Sequence, residues 1–521
     1  MMPSSSPQPR NKSDWLWNNR LSLLWLCLAA VIILFALLGA KELWTQEWRW
    51  ANIPQQMLLR HDFFHPYLGG VPYYDKPLLS YWFIIGFSYL LGSLNLWAIR
   101  LPSAIAGLIV ILCTVSIGKK LSSRSTGLIA GWLLITTYYF IFWSRVGNSD
   151  MLNLAGIMLA VCWYFKNQHK TSFLSYLVFC VILSVASLVK GLIAPALTLI
   201  ALLPHLLYQS TWQKHLNKKL LLAALVAGLF YLIPFAISTY INPHGYAESG
   251  LREVLQENIL RYIHPFDHVE PFYVYFIYLP TYLLPWTIFF IPALITFPKR
   301  WRTLLTGERW FFWSTAFIFI FLTISGSRRD YYILPILPFA ILLTAEWIHA
   351  SFIKNGAIYR LAKKSFLIVY IFLAGYFIVA TPIAYSGGGP EVFVKHVKQI
   401  AEKTTPWSQW HFVLLDTRSN LSFYLHSSYF VDIQKASEET DTHPTRENIL
   451  KSFPQLTATK PDTILFIGEN FFEPIKNDVA DRYTVLYSPL NRKDQWLKDK
   501  PDDLPVALIP KQRISGTEPH D

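Results

Sequence analysis

The chain has 521 residues, 53% hydrophobic, 16% aromatic and only 15% charged, with a mean hydropathy of +0.31, a balance that excludes an ordinary soluble globular protein and fits an integral membrane protein. The net charge of +13 does not mark a nucleic-acid binder, because the basic residues lie mostly in short loops between apolar runs, where the positive-inside rule expects them. Cys27, Cys113, Cys162 and Cys180 all fall inside apolar runs, which argues against a disulfide framework or a cysteine metal cluster.

Residues 1–20 carry Arg10, Lys12 and Arg20 and read as a cytoplasmic segment. The apolar run at 21–40 follows without a small-residue cleavage site and reads as a retained anchor. The loop at 41–77 then concentrates acids, bases and aromatics in Gln46-Glu47-Trp48-Arg49-Trp50, Arg60-His61-Asp62 and Tyr73-Tyr74-Asp75-Lys76-Pro77. An ionisable pair at a bilayer surface must be hydrated, paired or bound to a ligand. The run at 78–92 falls short of the roughly 20 residues that cross about 30 Å of hydrocarbon, so it is assigned as an interfacial or re-entrant helix, whereas 99–118 is a full span. Further spans are expected near 126–144, 150–166, 173–189, 191–208, 220–240, 273–297, 310–326, 331–350 and 366–385, giving about eleven crossings.

Placing the basic loops at 119–124, 166–170, 214–219, 299–302 and 354–364 in the cytoplasm puts the chemically mixed loops at 41–77, 146–150, 242–271 and 325–332 together on the opposite face. From Ser386-Gly387-Gly388-Gly389-Pro390 onward the chain turns polar, which reads as a linker and a separate domain over 386–521. Strands are predicted at 411–415, 429–433, 463–467 and 483–487, with helices at 391–403 and 445–453. The expected fold is an α-helical polytopic membrane domain over 21–385 followed by a small soluble α/β domain.

Several residues have a functional and a plainer reading. Asp75 and Lys76 are candidates for ligand binding, or a surface ion pair worth about 0–1 kcal/mol. Glu47 and Arg49 are candidates for chemistry, or decorate an interfacial helix whose Trp44, Trp48 and Trp50 sit in an aromatic belt. Asp150 is a candidate acid or base, or stabilises a helix N-terminus through the dipole. Lys190 touches a ligand phosphate or, as the default, snorkels to the interface. Tyr331 and Tyr332 line a groove or belong to the belt. His244, His264 and His268 with Asp267 and Glu270 form the candidate metal cluster, though their spacing matches no compact zinc motif.

The order of these features resembles the GT-C glycosyltransferases, in the group of lipid A aminoarabinose transferases and protein O-mannosyltransferases. The matching segments are Glu47-Trp48-Arg49-Trp50-Ala51, Tyr74-Asp75-Lys76-Pro77, Ile99-Arg100-Leu101-Pro102-Ser103, Ser144-Arg145-Val146-Gly147-Asn148-Ser149-Asp150 and Val189-Lys190-Gly191, then Glu257 to Tyr262, His268 to Tyr273, Pro285-Trp286 and Tyr331-Tyr332-Ile333-Leu334-Pro335. The resemblance implies a GT-C membrane fold, a polyprenyl-phosphate-linked sugar as donor, an extracytoplasmic active site and inversion at the anomeric carbon. It implies a bacterial inner-membrane protein acting on lipid A or another envelope glycolipid, and a possible divalent metal such as zinc between Asp75 and His268. One position departs from the group: Gln46 stands where a first acid is usual, followed by Glu47.

Such a donor leaves as a phosphate anion, so the reaction needs cations rather than a general acid. Lys76, Arg49, Arg328 and Arg329 share the face on which it would occur, and a guanidinium with an ammonium makes a sensible phosphate clamp. Tyr332 joins them as a substrate-binding candidate. A hydroxyl acceptor requires a base such as Glu47 or Asp150, whereas an acceptor phosphate does not. Loss of the usual acid at Gln46 favours the phosphate acceptor. The alternatives are transfer to protein hydroxyls and a lipid or solute transporter, the latter disfavoured because the ionisable residues lie in loops and no inverted hydropathy repeat is present.

Overall fold

The computed structural model describes residues 21–44, 46–69, 71–242, 256, 260, 262, 270–354, 356–384, 389–415, 421–427, 430–433, 462–488 and 505–511. The chain divides into two compact units, one of residues 1–38, 74–91 and 100–380 and the other of 39–73, 92–99 and 381–521.

The first unit is helical, as long apolar runs must be where lipid offers no partner for backbone N–H and C=O groups. Among the described residues, the helices Leu96–Leu121, Phe173–Lys190, Lys218–Ile241, Asp330–Ser351 and Gly356–Ile383 are long and apolar enough to cross a membrane. The pair Arg124–Ile135 and Tyr138–Ser144, bent by 70°, adds a sixth if it forms one span. This is a multi-pass membrane protein. Burial separates two kinds of span: the most apolar window of Asp330–Ser351 is 83% buried within the protein, that of Gly356–Ile383 only 11%, so the first packs on all sides and the second presents its surface to lipid.

Several expected spans take a modified form for local reasons. The 78–92 run is the 13-residue helix Leu79–Leu91, at about 1.5 Å per residue roughly 20 Å long, short of the hydrocarbon thickness. The 273–297 region is two helices, Val274–Tyr282 and Thr287–Arg300, because Pro285 between them cannot donate to a continuous ladder. The 331–350 span opens as a 3₁₀ turn, Asp330–Ile336, before the helix Leu337–Lys354. The last span starts earlier than hydropathy indicates: Arg360, Lys363 and Lys364 mask a helix that already begins at Gly356.

Two arginines from the motif segments hold helix ends. Arg145 donates to the carbonyls of Ile33 at 2.7 Å and Ala36 at 2.8 Å, and Arg100 to that of Leu38 at 2.8 Å. These carbonyls belong to or follow the last turn of Ser22–Phe35, where helical partners run out. Glycine allows another close approach: a Cβ on Gly118 would lie 2.7 Å from the Gly127 Cα, and one on Gly127 would lie 2.4 Å from the Val115 carbonyl oxygen.

The second unit contains the helix Glu47–Arg60, a short hairpin of β1 (Tyr67–Leu68) and β2 (Val71–Pro72), and a five-stranded sheet. The sheet strands are β3 (His411–Leu415), β4 (Phe430–Ile433), β5 (Thr463–Gly468), β6 (Tyr483–Tyr487) and β7 (Pro505–Pro510), in the order β4-β3-β5-β7-β6. β3 runs parallel to β4 and β5, while β7 is antiparallel to β5 and β6. Val413, Leu415, Leu465, Ile467, Val506 and Leu508 build its core with Phe472, Ile475 and Val479. The expected helix at 391–403 is Pro390–Ala401, whereas the one at 445–453 lies outside the described residues.

Candidate functional site

In the membrane unit the site grows from one helix start. Asn148 Oδ1 accepts the N–H groups of Asp150 at 2.7 Å and Met151 at 3.1 Å, which caps the helix Asp150–Asn167. Asn148 is held in turn through its Nδ2, which donates to the carbonyls of Val146 at 2.7 Å and Trp143 at 3.2 Å. With capping assigned to Asn148, the Asp150 carboxylate pairs with Lys190 at the end of Phe173–Lys190.

That pair corrects the snorkelling expectation for Lys190. Its side chain is only 17% exposed, and the ammonium lies 5.5 Å from the ring centre of Tyr331 and 5.4 Å from that of Tyr332, within cation–π range. Arg329 joins the group by donating to the Tyr331 hydroxyl at 2.7 Å. Arg328 donates to the carbonyls of Glu270 at 2.6 Å and Thr323 at 3.2 Å, which anchors the turn before Asp330. Asp150, Lys190, Arg329, Tyr331 and Tyr332 therefore form one contiguous cluster, with Arg328 adjacent in sequence.

Beside it stands an arrangement that sequence reasoning missed. Asp330 Oδ2 accepts from the hydroxyls of Tyr139 at 3.3 Å and Tyr282 at 3.4 Å, and these two rings stack at 3.6 Å with an interplanar angle of 3°. Tyr278 stacks on Tyr282 at 5.4 Å and donates to Glu270 at 2.9 Å. The available signal was Asp330 itself, an acid between Arg328-Arg329 and Tyr331-Tyr332; Tyr139 and Tyr282 lie in aromatic-rich spans where nothing distinguishes them.

Asp75 and Lys76 also belong to this unit and precede the helix Leu79–Leu91. Asp75 is exposed, and the Lys76 ammonium donates to the Asp75 main-chain carbonyl at 3.2 Å.

Glu47 and Arg49 lie in the other unit. Glu47 is fully buried; its carboxylate accepts the Trp44 N–H at 2.8 Å, while its own N–H donates to the Trp44 carbonyl at 2.8 Å. This reciprocal pair fixes Glu47, the first residue of Glu47–Arg60, to Trp44 ahead of the helix, and such burial is unlike decoration on a solvated helix face. Arg49 donates to the Tyr73 hydroxyl at 3.2 Å. His244, His264, Asp267 and His268 lie outside the described residues; among the described ones no group of three or more His, Cys, Asp or Glu could hold a metal ion.

A model of the dolichyl-phosphate-mannose-protein mannosyltransferase family matches residues 75–237. The chain is 26% identical over 320 residues to an undecaprenyl phosphate-alpha-4-amino-4-deoxy-L-arabinose arabinosyl transferase of Pseudomonas aeruginosa, covering 59% of this chain and 56% of the relative. It is 27% identical over 344 residues to the like-named protein of Pseudomonas savastanoi pv. phaseolicola, covering 61% and 60%. The chain thus spans less than two thirds of the length of these relatives. Among solved structures, ArnT from Cupriavidus metallidurans bound to undecaprenyl phosphate matches with a TM-score of 0.70 at 17% identity, over 96% of this chain and 100% of that one. An Archaeoglobus fulgidus oligosaccharyltransferase in complex with Zn and sulfate matches with a TM-score of 0.51 at 12% identity, over 87% and 68%. The chain therefore shares the fold of these solved structures, a helical membrane part with a small sheet domain, which is the GT-C type of fold that the motif order implied.

Proposed function

We propose that this protein is a membrane glycosyltransferase that takes a sugar from undecaprenyl phosphate and passes it, on the periplasmic face of a bacterial inner membrane, to lipid A or another envelope glycolipid. The observation that carries the reading is the gathering of Asp150, Tyr331 and Tyr332 around the Lys190 ammonium, with Arg329 on the Tyr331 hydroxyl; Asp150, Lys190, Tyr331 and Tyr332 stand in the segments that carry the resemblance to the aminoarabinose transferase group. Likeness to the named arabinosyl transferases supports an aminopentose as the sugar.

In the reaction an acceptor oxygen attacks the anomeric carbon, the bond from that carbon to the carrier phosphate oxygen breaks, and the carrier phosphate leaves with the electron pair. Charge grows on the leaving phosphate, so cations aimed at it lower the barrier. Lys76, Arg328 and Arg329 of the membrane unit are candidates, with Tyr332 as a further substrate-binding residue, and Arg49 of the other unit is a candidate by its place in the motif order. Asp150 is engaged by Lys190, which suits it to orient that ammonium better than to remove a proton. Glu47 is the remaining candidate base. An acceptor phosphate requires none, in keeping with Gln46 at the position where the group usually has an acid.

Mass spectrometry of lipid A and envelope glycolipids from strains with and without the protein tests the reading. Loss of a pentose-sized addition from a lipid A phosphate is expected. An unchanged glycolipid profile with loss of sugar from envelope proteins would favour the protein-acceptor reading, to which the match with the protein mannosyltransferase family model lends support. The metal that the resemblance implies between Asp75 and His268 is tested by chelation, and transfer that survives it removes the metal from the reading. Loss of activity restored by zinc would support a metal, and loss of that rescue in Asp75→Asn and His268→Ala would place it at those residues.

A further inference from the structure

Three carboxamides on the helix Glu47–Arg60 reach into the 421–427 segment. Asn52 Nδ2 donates to Ser422 Oγ, Gln55 Nε2 to the Phe423 carbonyl at 2.8 Å, and Gln56 Nε2 to the Ser427 carbonyl at 2.8 Å. Gln55 Nε2 also faces His426 Nδ1 at 3.1 Å, a contact that needs the tautomer with its proton on Nε2. Positions 52, 55 and 56 follow the spacing that puts side chains on one helix face. All three are buried, and the side-chain oxygen of each has no hydrogen-bond partner among the described residues.

The polar output of this stripe is therefore donation to acceptors on one short segment. That segment supplies acceptors for a structural reason. Leu421–Leu425 is a single helical turn, and its carbonyls have no following turn to satisfy them. His426, in the left-handed region at φ 49°, ends it in the manner of a C-cap. Trp407 Nε1 donates to the Leu425 carbonyl at 2.9 Å, and the carboxamides of Gln55 and Gln56 donate to those of Phe423 and Ser427.

We infer that the 421–427 segment is a clamp on the first-loop helix, making Asn52, Gln55 and Gln56 positioning residues for Glu47 and Arg49, a role that rests on the transferase reading above. Glu47 lies about 140° around the helix from Asn52, so the clamp acts by fixing the helix rather than by touching the carboxylate. It gives the sheet domain a part in turnover while leaving the chemistry on the loop.

The test is Gln55→Glu in the full-length protein, because a carboxylate has no N–H for either partner. The groups around His426 are Gln55 on the loop helix and Lys398 and Glu391 on Pro390–Ala401; burial and Lys398 favour the neutral ring, Glu391 the charged one. Near pH 8, amide hydrogen exchange over 47–60 should quicken about tenfold and kcat for transfer fall about tenfold with donor KM unchanged. Near pH 5.5 a protonated His426 can donate Nδ1–H to the new carboxylate, so both should return toward wild type. Adding His426→Gln, which offers an N–H at every pH, should restore both near pH 8. Unchanged exchange in Gln55→Glu overturns the clamp, and faster exchange with undiminished turnover overturns the positioning role. If the wild type transfers no polyprenyl-phosphate sugar, the transferase reading fails on its own, and the exchange arm still decides the clamp.

Discussion

Asp150 and Lys190 are mostly buried, with side chains 12% and 17% exposed, so each charge depends on the other. Asp150→Asn leaves an ammonium with its partner carboxylate gone, at a cost near the lower end of about 3–5 kcal/mol because some exposure remains. Thermal unfolding in detergent should show this, and Asp150→Asn with Lys190→Met should recover much of the stability without recovering transfer. Lys76→Ala should raise the barrier by about 2–4 kcal/mol, as removal of a donor to developing negative charge does, with Arg restoring activity only in part. Single-turnover rates on properly inserted protein check it; near-normal transfer would reduce the Asp75-Lys76 pair to surface decoration. Glu47→Gln keeps an oxygen for the Trp44 N–H, so it removes charge with little change in shape. With a phosphate acceptor the rate should fall less than about tenfold, whereas a loss of about 100-fold or more that higher pH relieves would mark a general base and a hydroxyl acceptor.

At the scale of elements, the crossing of Leu96–Leu121 with Arg124–Ile135 leaves no room at Gly127, where an added Cβ would sit 2.4 Å from a carbonyl oxygen. Gly127→Val should destabilise the membrane unit by about 1–3 kcal/mol, the usual range for overpacking, measurable as a lower unfolding midpoint. His426 supplies a pH dependence in the sheet domain. Burial and the nearby Lys398 hold its pKa below the ordinary 6.5, so below that value the unfolded chain takes up a proton that the folded one resists. Its stabilising contribution is complete above pH 6.5 and declines as pH falls toward the lowered value; amide exchange over 411–427 should quicken accordingly. Periodicity made most elements readable, yet β7 was missed because Pro505 and Pro510 bracket a short apolar run, which reads as turn punctuation when its partners are unknown. The contacts Asp150–Lys190 and Asp330–Tyr139–Tyr282 were illegible for a different reason: each joins residues far apart in sequence, and no local pattern encodes such proximity.

For the whole molecule, charge parity predicts that the first loop and the sheet domain share the periplasmic side. With the native cysteines replaced, Val71→Cys and Lys476→Cys should be labelled by an impermeant thiol reagent in intact spheroplasts, and Lys120→Cys only after lysis. Cytoplasmic location of either Val71 or Lys476 would undo the parity assignment; Lys476 inside with Val71 outside would implicate a crossing at Leu79–Leu91. The segments that carried the GT-C resemblance were legible because their order along the chain survives when each piece alone is weak. Their roles were less so: Arg100 and Arg145, in two of those segments, hold helix ends through main-chain carbonyls.

The order of the sheet bears on how the domain is made. β7 is its last strand in the chain, yet it lies between β5 and β6 and pairs with both. Until residues 505–510 emerge during synthesis, fully buried β5 has an open hydrogen-bonding edge, and β6 has no partner in the sheet. Such an edge is a template for wrong pairing. A premature stop just upstream of residue 505 would therefore remove an interior strand of the sheet rather than trim its margin, leaving an inserted membrane part with a half-built domain exposed to proteases and chaperones.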